Sequence, residues 1–222
     1  LEQQCATLES AAAAERFDRY RQGAISLLTD PTVRGALDVT RADDAVQERY
    51  GRNSFGWSLL MARRLVEAGV NLVQVNLGND ETWDTHGNAF PNLKNFLFPP
   101  SDQALSAFLD DMSDSGMLDS TLVVLRGEMG RSPRINAKAG RDHWPHAYTL
   151  LLAGAGVKGG TSYGETDEIG SQVAADGVDI HDLHATILRL LGFDHTKLTY
   201  RYNGRDFRLT DNFGKVVDKV IA

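Results

Sequence analysis

Residues 121–160, TLVVLRGEMGRSPRINAKAGRDHWPHAYTLLLAGAGVKGG, constrain the fold of this chain more than any other stretch. Two apolar runs, 121–126 and 147–153, are bounded by turn residues and read as buried strands. The long polar loop between them carries Glu128, Arg131, Arg134, Arg141, Asp142, His143 and His146. Ionisable groups this close to the end of a buried strand are costly unless something pairs them. In an open α/β sheet, the carboxyl ends of the strands are where ligands bind. The loop therefore reads either as a functional site or as a salt-bridge network that pins the two strands together.

The rest of the chain supplies alternating helices and apolar runs. Residues 2–29 are rich in Ala, Glu, Gln and Arg, and Phe17, Tyr20, Ala24 and Leu27 fall at helical spacing, which predicts a packing or cap helix. Asn53 is the expected N-cap of a helix running to Ala68 with Gly69 as its stop, and residues 70–77 (VNLVQVNL) read as a strand. After that run comes GNDETWDTHGNAF, where Asp84 and His86 lie two apart and share a face in extended chain. A helix over 101–115 is expected to bury Ala104, Leu105, Phe108, Leu109 and Met112 and to wet Asp102, Asp110, Asp111 and Asp114. A second amphipathic helix over 179–191 points Leu183, Ile187, Leu190 and Leu191 inward, with Gly192 beyond its end. His181 and His184 stand in its first turn, where histidines are usually surface groups. An Asn203-Gly204 turn predicts a hairpin in the tail. This order predicts a single α/β domain over 1–222, a mostly parallel sheet with helices on both faces, and a helical lead-in over 1–50.

Composition excludes several classes. Net charge is −7 with the acids scattered, so there is no electrostatic footprint for nucleic acid. No apolar run reaches the length of a membrane span, and no signal segment is read in the chain. The single cysteine, Cys5, rules out an intramolecular disulfide. The run AGAGVKGG lacks the order of a phosphate-binding loop and reads as a plain turn.

The stretches WDTHGN, GEMGRSP, GRDHWPH, LLLAGAGVKGG and DLHATILRLLG, in that order, resemble the bacterial family known as domain of unknown function 1501. That family is regarded as sulfatase-like, within the alkaline phosphatase superfamily. The resemblance implies a two-metal hydrolase centre acting on phosphate or sulfate esters, a small-molecule or glycan ester as substrate, and export to the periplasm or beyond. It also implies that the chain is the C-terminal part of a larger hydrolase-like domain. On this likeness Asp84 and His86 are the first-metal pair, His143 is their third ligand, and Glu128 stands where an Asp-His pair holds the second metal. The residue after Glu128 is Met129 rather than His, and a thioether is a poor ligand for a hard or borderline cation. The sulfatase signature is absent: Arg131-Ser132-Pro133-Arg134 has Arg where a nucleophile belongs, and no nucleophile is found elsewhere.

Asp and His donors suit Zn²⁺, Mn²⁺ or Ca²⁺ to different degrees, with imidazole favouring the transition metals. Two such ions can clamp the attacking and leaving oxygens of a phosphoryl or sulfuryl transfer. Arg131 has the fork geometry to face a tetrahedral oxyanion. Asp142 and His146 are expected behind the ligands, with Asp142 orienting a neighbouring histidine or pairing with Arg141. Trp144 is expected as a lid. The alternative function is a non-catalytic exported binding or scaffold protein on a degenerate hydrolase fold, motivated by Met129 and the missing nucleophile.

Overall fold

In the computed structural model, which describes residues 15, 17–23, 25 and 29–222, the chain forms two compact units. The first comprises 1–80 and Pro99–Phe108; the second comprises Glu81–Phe98 and Leu109–Ala222. Cys5 and much of the helix expected over 2–29 lie outside the described residues. Phe17 and Tyr20, which define its apolar stripe, are 67% and 76% exposed rather than packed.

The first unit includes, among the described residues, the helices α1 (Pro31–Leu37), α2 (Asp44–Tyr50) and α3 (Ser54–Glu67). Helices α1 and α3 begin at side-chain caps. Asp30 caps α1 by accepting from the Thr32 amide, and Pro31 supplies a first-turn residue that needs no donor. Asn53 caps α3, accepting from the amides of Phe55 and Gly56 at 3.0 and 3.2 Å. Gly69, at φ +88°, ends it, with Gly69 N–H donating to Val66 and Val70 N–H to Leu65. Leu59, Leu60 and Ala62 are buried on α3, and Tyr50 is fully buried on α2. Gly56 has no room for a side chain: a Cβ there would stand 2.1 Å from the Gly51 carbonyl oxygen. Replacing Asn53 with Ala orphans two amides at the start of α3 and is expected to cost about 1 kcal/mol, read as a lowered thermal midpoint.

Residues 70–77 are not a strand. They form no ladder, and Leu72 is 88% exposed. The helix expected over 101–115 starts earlier, as α5 (Phe98–Asp114), after the one-turn α4 (Ala89–Asn92) and a wider π-helical turn, Leu93–Leu97. Pro99 and Pro100 have no N–H to return to the carbonyls of the preceding turn, which accounts for the local widening. Ala104, Phe108 and Met112 are buried as their spacing predicts, but so is Asp111, which the sequence placed on the wet face.

The mostly parallel sheet with helices on both faces, the arrangement of the alkaline phosphatase/sulfatase-like fold, is not what forms. Every sheet among the described residues is a two-stranded antiparallel pair. Strand β1 (Val123–Leu125) pairs with β4 (Leu151–Ala153), with Val124 opposite Leu152. Between them, β2 (Gly130–Arg131) pairs with β3 (His143–Trp144). Parallel neighbours need a crossover connection, usually helical, and the connection from β1 to β4 is a loop carrying a smaller antiparallel pair. Nor are the strands buried on both faces, as a parallel sheet requires: Leu151 is 59% exposed.

Strands β5 (Glu165–Thr166) and β6 (Val173–Ala175) form a third pair. Helix α6 (Ile180–Leu190) is capped by Asp179 and ended by Gly192 at φ +83°. Leu183, Ala185 and Thr186 are its buried residues, whereas Leu191, expected inward, is 55% exposed. The Thr186 hydroxyl donates to Asp182 O and accepts from the Val217 amide, tying the tail to this helix. The expected hairpin forms from β7 (Thr199–Tyr202) and β8 (Arg205–Arg208), with both turn residues, Asn203 and Gly204, at positive φ.

Candidate metal centre

The candidate centre lies wholly within the second unit. Its first element is the segment before α4. Asp84 N–H donates to Glu81 O, and His86 N–H donates to Asp84 O at 3.0 Å. These are tight turns rather than the extended chain expected from the D-x-H spacing, yet they bring the two side chains together. His86 Nε2 lies 3.1 Å from Asp84 Oδ1.

The second element is the β2–β3 pair. Its register sets Arg131 directly opposite His143, so both side chains leave the same face. Both reach Asp84: His143 Nε2 lies 2.9 Å from Asp84 Oδ1, and Arg131 Nη1 donates to the same oxygen. Gly130 lets the pair close, since a Cβ there would stand 2.1 Å from Ala147 O. The two imidazole rings sit 4.8 Å apart between centroids.

The third element is the turn 136–140. Asn136 Oδ1 accepts from the amides of Lys138 and Gly140, and its Nδ2 donates to His86 O and Asp142 Oδ1. Backbone bonds run beside it from Asn88 to Lys138, from Ala89 to Ala139 and from Arg141 to Thr85. Segments fifty residues apart are thus sewn together, and Asp142 Oδ1 comes to 2.8 Å from His86 Nδ1.

The electrostatics follow from these contacts. The Arg131 guanidinium, then His143, hold the Asp84 carboxyl down at about 2. His86, then Asn136, hold Asp142 below the usual carboxylate range. For such depressed carboxyls the stabilising contribution is present above the unfolded value, about 3.9, and is lost as pH falls through the folded value. Asp84→Asn is expected to flatten the acid-side loss of stability between about pH 4 and pH 2. Denaturant melts of the metal-free chain at stepped pH measure this.

Asp84, His86 and His143 each offer one donor atom, and the three atoms lie within 4.8 Å of one another. One carboxylate and two imidazoles suit Zn²⁺ or a similar borderline divalent cation better than Ca²⁺, which takes six to eight oxygens. Glu128 does not join them: it is exposed in the bend between β1 and β2. Arg131 lies on Asp84, and among the described residues both of its hydrogen bonds use Nη1, the second to Arg141 O at 3.5 Å. Asp142 pairs with His86, while Arg141 donates to the carbonyls of Ser132 and Pro133. His146 stands edge-on to Trp144, with ring centroids 4.8 Å apart. Trp144 is no free lid, because its indole N–H donates to Ser171 O at 2.7 Å. Sequence reasoning missed Asn136; its only signal is an Asn four residues before a Gly within a polar loop, the chemistry of an Asx turn.

The chain belongs to the family described as protein of unknown function (DUF1501), whose profile matches residues 1–221. No curated protein and no solved structure matches the chain. Among the described residues, no helix is long and apolar enough to cross a membrane.

Proposed function

We propose that Asp84, His86 and His143 hold a divalent cation, and that the protein is a metal-dependent hydrolase of phosphate or sulfate esters. The observation that carries this reading is the convergence of one carboxylate and two imidazoles, from distant parts of the chain, within 4.8 Å. A bound cation supplies Lewis-acid stabilisation of charge on an ester oxygen. The chain's own groups do the rest. Asp84 contributes negative charge, and it is ionised at any neutral pH because its carboxyl is held at about 2. Arg131 meets Asp84 and Arg141 through Nη1, and its other donors, Nε and Nη2, would supply the fork for a tetrahedral anion. Protons compete with a cation for imidazole nitrogen, so cation affinity should fall as the medium is acidified.

A specific observation favours a second reading, in which an ester or glycan binds without turnover. Ser132 is the hydroxyl in the segment that resembles the sulfatase signature. It is buried, donates to Arg134 O and accepts from the Asp142 amide, so it is not poised as a nucleophile. Assays of the purified chain with Zn²⁺, Mn²⁺ or Ca²⁺ on aryl phosphates and aryl sulfates separate the two. The hydrolase reading expects stoichiometric metal and turnover that EDTA abolishes and metal restores. Metal without turnover on any ester favours the binding protein, and absence of metal binding contradicts both the cation site and the hydrolase.

A further inference from the structure

We infer that Asn136 is a positioning residue for the cation site: it holds the Asp142 carboxylate against His86 Nδ1 and so commits His86 Nε2 to the side of Asp84. The inference rests on the cation site proposed above and names the device that organises it. An imidazole that ligates through Nε2 is best fixed by a partner on Nδ1, which sets both the tautomer and the ring direction. His86 has that arrangement, with Asp142 Oδ1 2.8 Å from Nδ1 and Asp84 Oδ1 3.1 Å from Nε2. Asp142 is exposed and would otherwise turn freely into solvent.

Asn136 prevents this by using both ends of its amide. Its oxygen is occupied by the amides of Lys138 and Gly140, at 2.9 and 3.0 Å, which fixes the direction of the NH₂ group. That group then donates to His86 O at 2.9 Å and to Asp142 Oδ1 at 3.1 Å. One side chain therefore fixes the backbone of the histidine and the carboxylate behind it together. An aspartate at this position would keep the acceptor but lose the donor, and alanine would lose both. Next to it, Ala139 takes φ +56° and Gly140 lies against the backbone of His86, so the turn that presents the amide is itself held in an uncommon conformation.

A double-mutant cycle tests this, with Zn²⁺ alone as the probe. Zn²⁺ affinity is measured by competition with a chelator for the wild type, Asn136→Ala, Asp142→Ala and the double variant, and folding is checked by thermal melts. Each single change is expected to weaken Zn²⁺ by roughly 10–100-fold. The double change should weaken it by clearly less than the product of the two single effects, because Asn136 acts in part through Asp142. Affinities within threefold of wild type, or losses that multiply in the double variant, overturn the inference. A role confined to the turn would lower the melting temperature and leave affinity unmoved.

Nitrogen-15 NMR of His86 in the metal-free chain, at about pH 9 where an ordinary imidazole is neutral, reads the orientation without any metal. The Nδ1–H tautomer, donating to the nearer Asp142, is expected to predominate in the wild type and to give way towards Nε2–H, facing Asp84, in Asp142→Ala and Asn136→Ala; an unchanged tautomer in both variants overturns the inference. If the wild type shows this tautomer pattern and takes up no Zn²⁺, the cation proposal fails and the positioning of His86 stands.

Discussion

Replacing His86 and His143 together with alanine should abolish cation uptake while leaving the chain folded. Both side chains are 47% exposed, so truncating them opens no cavity in the core. What they provide is two of the three donor atoms gathered at Asp84. A lone carboxylate beside the Arg131 guanidinium has little attraction left for a divalent ion. The loss should therefore exceed the roughly 10–100-fold expected when only an outer hydrogen-bond partner is removed. Calorimetric Zn²⁺ titration and a thermal melt on the same sample decide it. A double variant that still takes up one equivalent of Zn²⁺ at wild-type affinity would show that the cation is held elsewhere.

Gly140→Ala is the second large effect, and it acts through the backbone. A Cβ at Gly140 would stand 2.0 Å from His86 O and 2.4 Å from the Gly87 nitrogen. Neither atom can swing away as a side-chain end can, so the segments carrying His86 and Asp142 must separate. Separation breaks the Arg141-to-Thr85 backbone bond and the Asn136 bridge together. The expected cost is roughly 2–4 kcal/mol of stability, with loss of Zn²⁺ affinity in whatever remains folded. Denaturant melts and Zn²⁺ titration measure the two effects separately. Wild-type stability in Gly140→Ala would mean that the close approach of these segments is not required. By contrast Gly69→Ala, which meets no neighbour, should be limited to the strain of its positive φ.

The signals that proved legible in the sequence are local. Asn53, Gly69, Gly192 and the Asn203-Gly204 turn each satisfy or end a backbone within a few residues, so their chemistry can be read without knowing the fold. Strand pairing is a different matter. The runs at 121–126 and 147–153 do contain strands, but apolar content does not state the direction of the partner, and the two pair antiparallel with each other. The run at 70–77 has strand composition and no partner strand.

The site divides in the same way. Asp84 and His86 were visible as a close pair, and His143 through its resemblance to a family motif. Glu128 is placed by the resemblance, just after a strand expected to lead into the site, but β1 ends at Leu125 and Glu128 is exposed in the bend that follows. Asn136 was illegible because its role depends on two segments that only the fold brings together, and a loop asparagine ordinarily serves its own turn.

Asp84, His86 and His143 should together coordinate one cation. X-ray absorption at the zinc edge of the chain loaded with one equivalent of Zn²⁺ reads the donor atoms directly. The prediction is a first shell of nitrogen and oxygen at about 2.0–2.2 Å with the outer scattering of two imidazoles. That scattering should disappear in the His86/His143 double variant. A shell of oxygen alone, or one containing sulfur at about 2.3 Å, would contradict it.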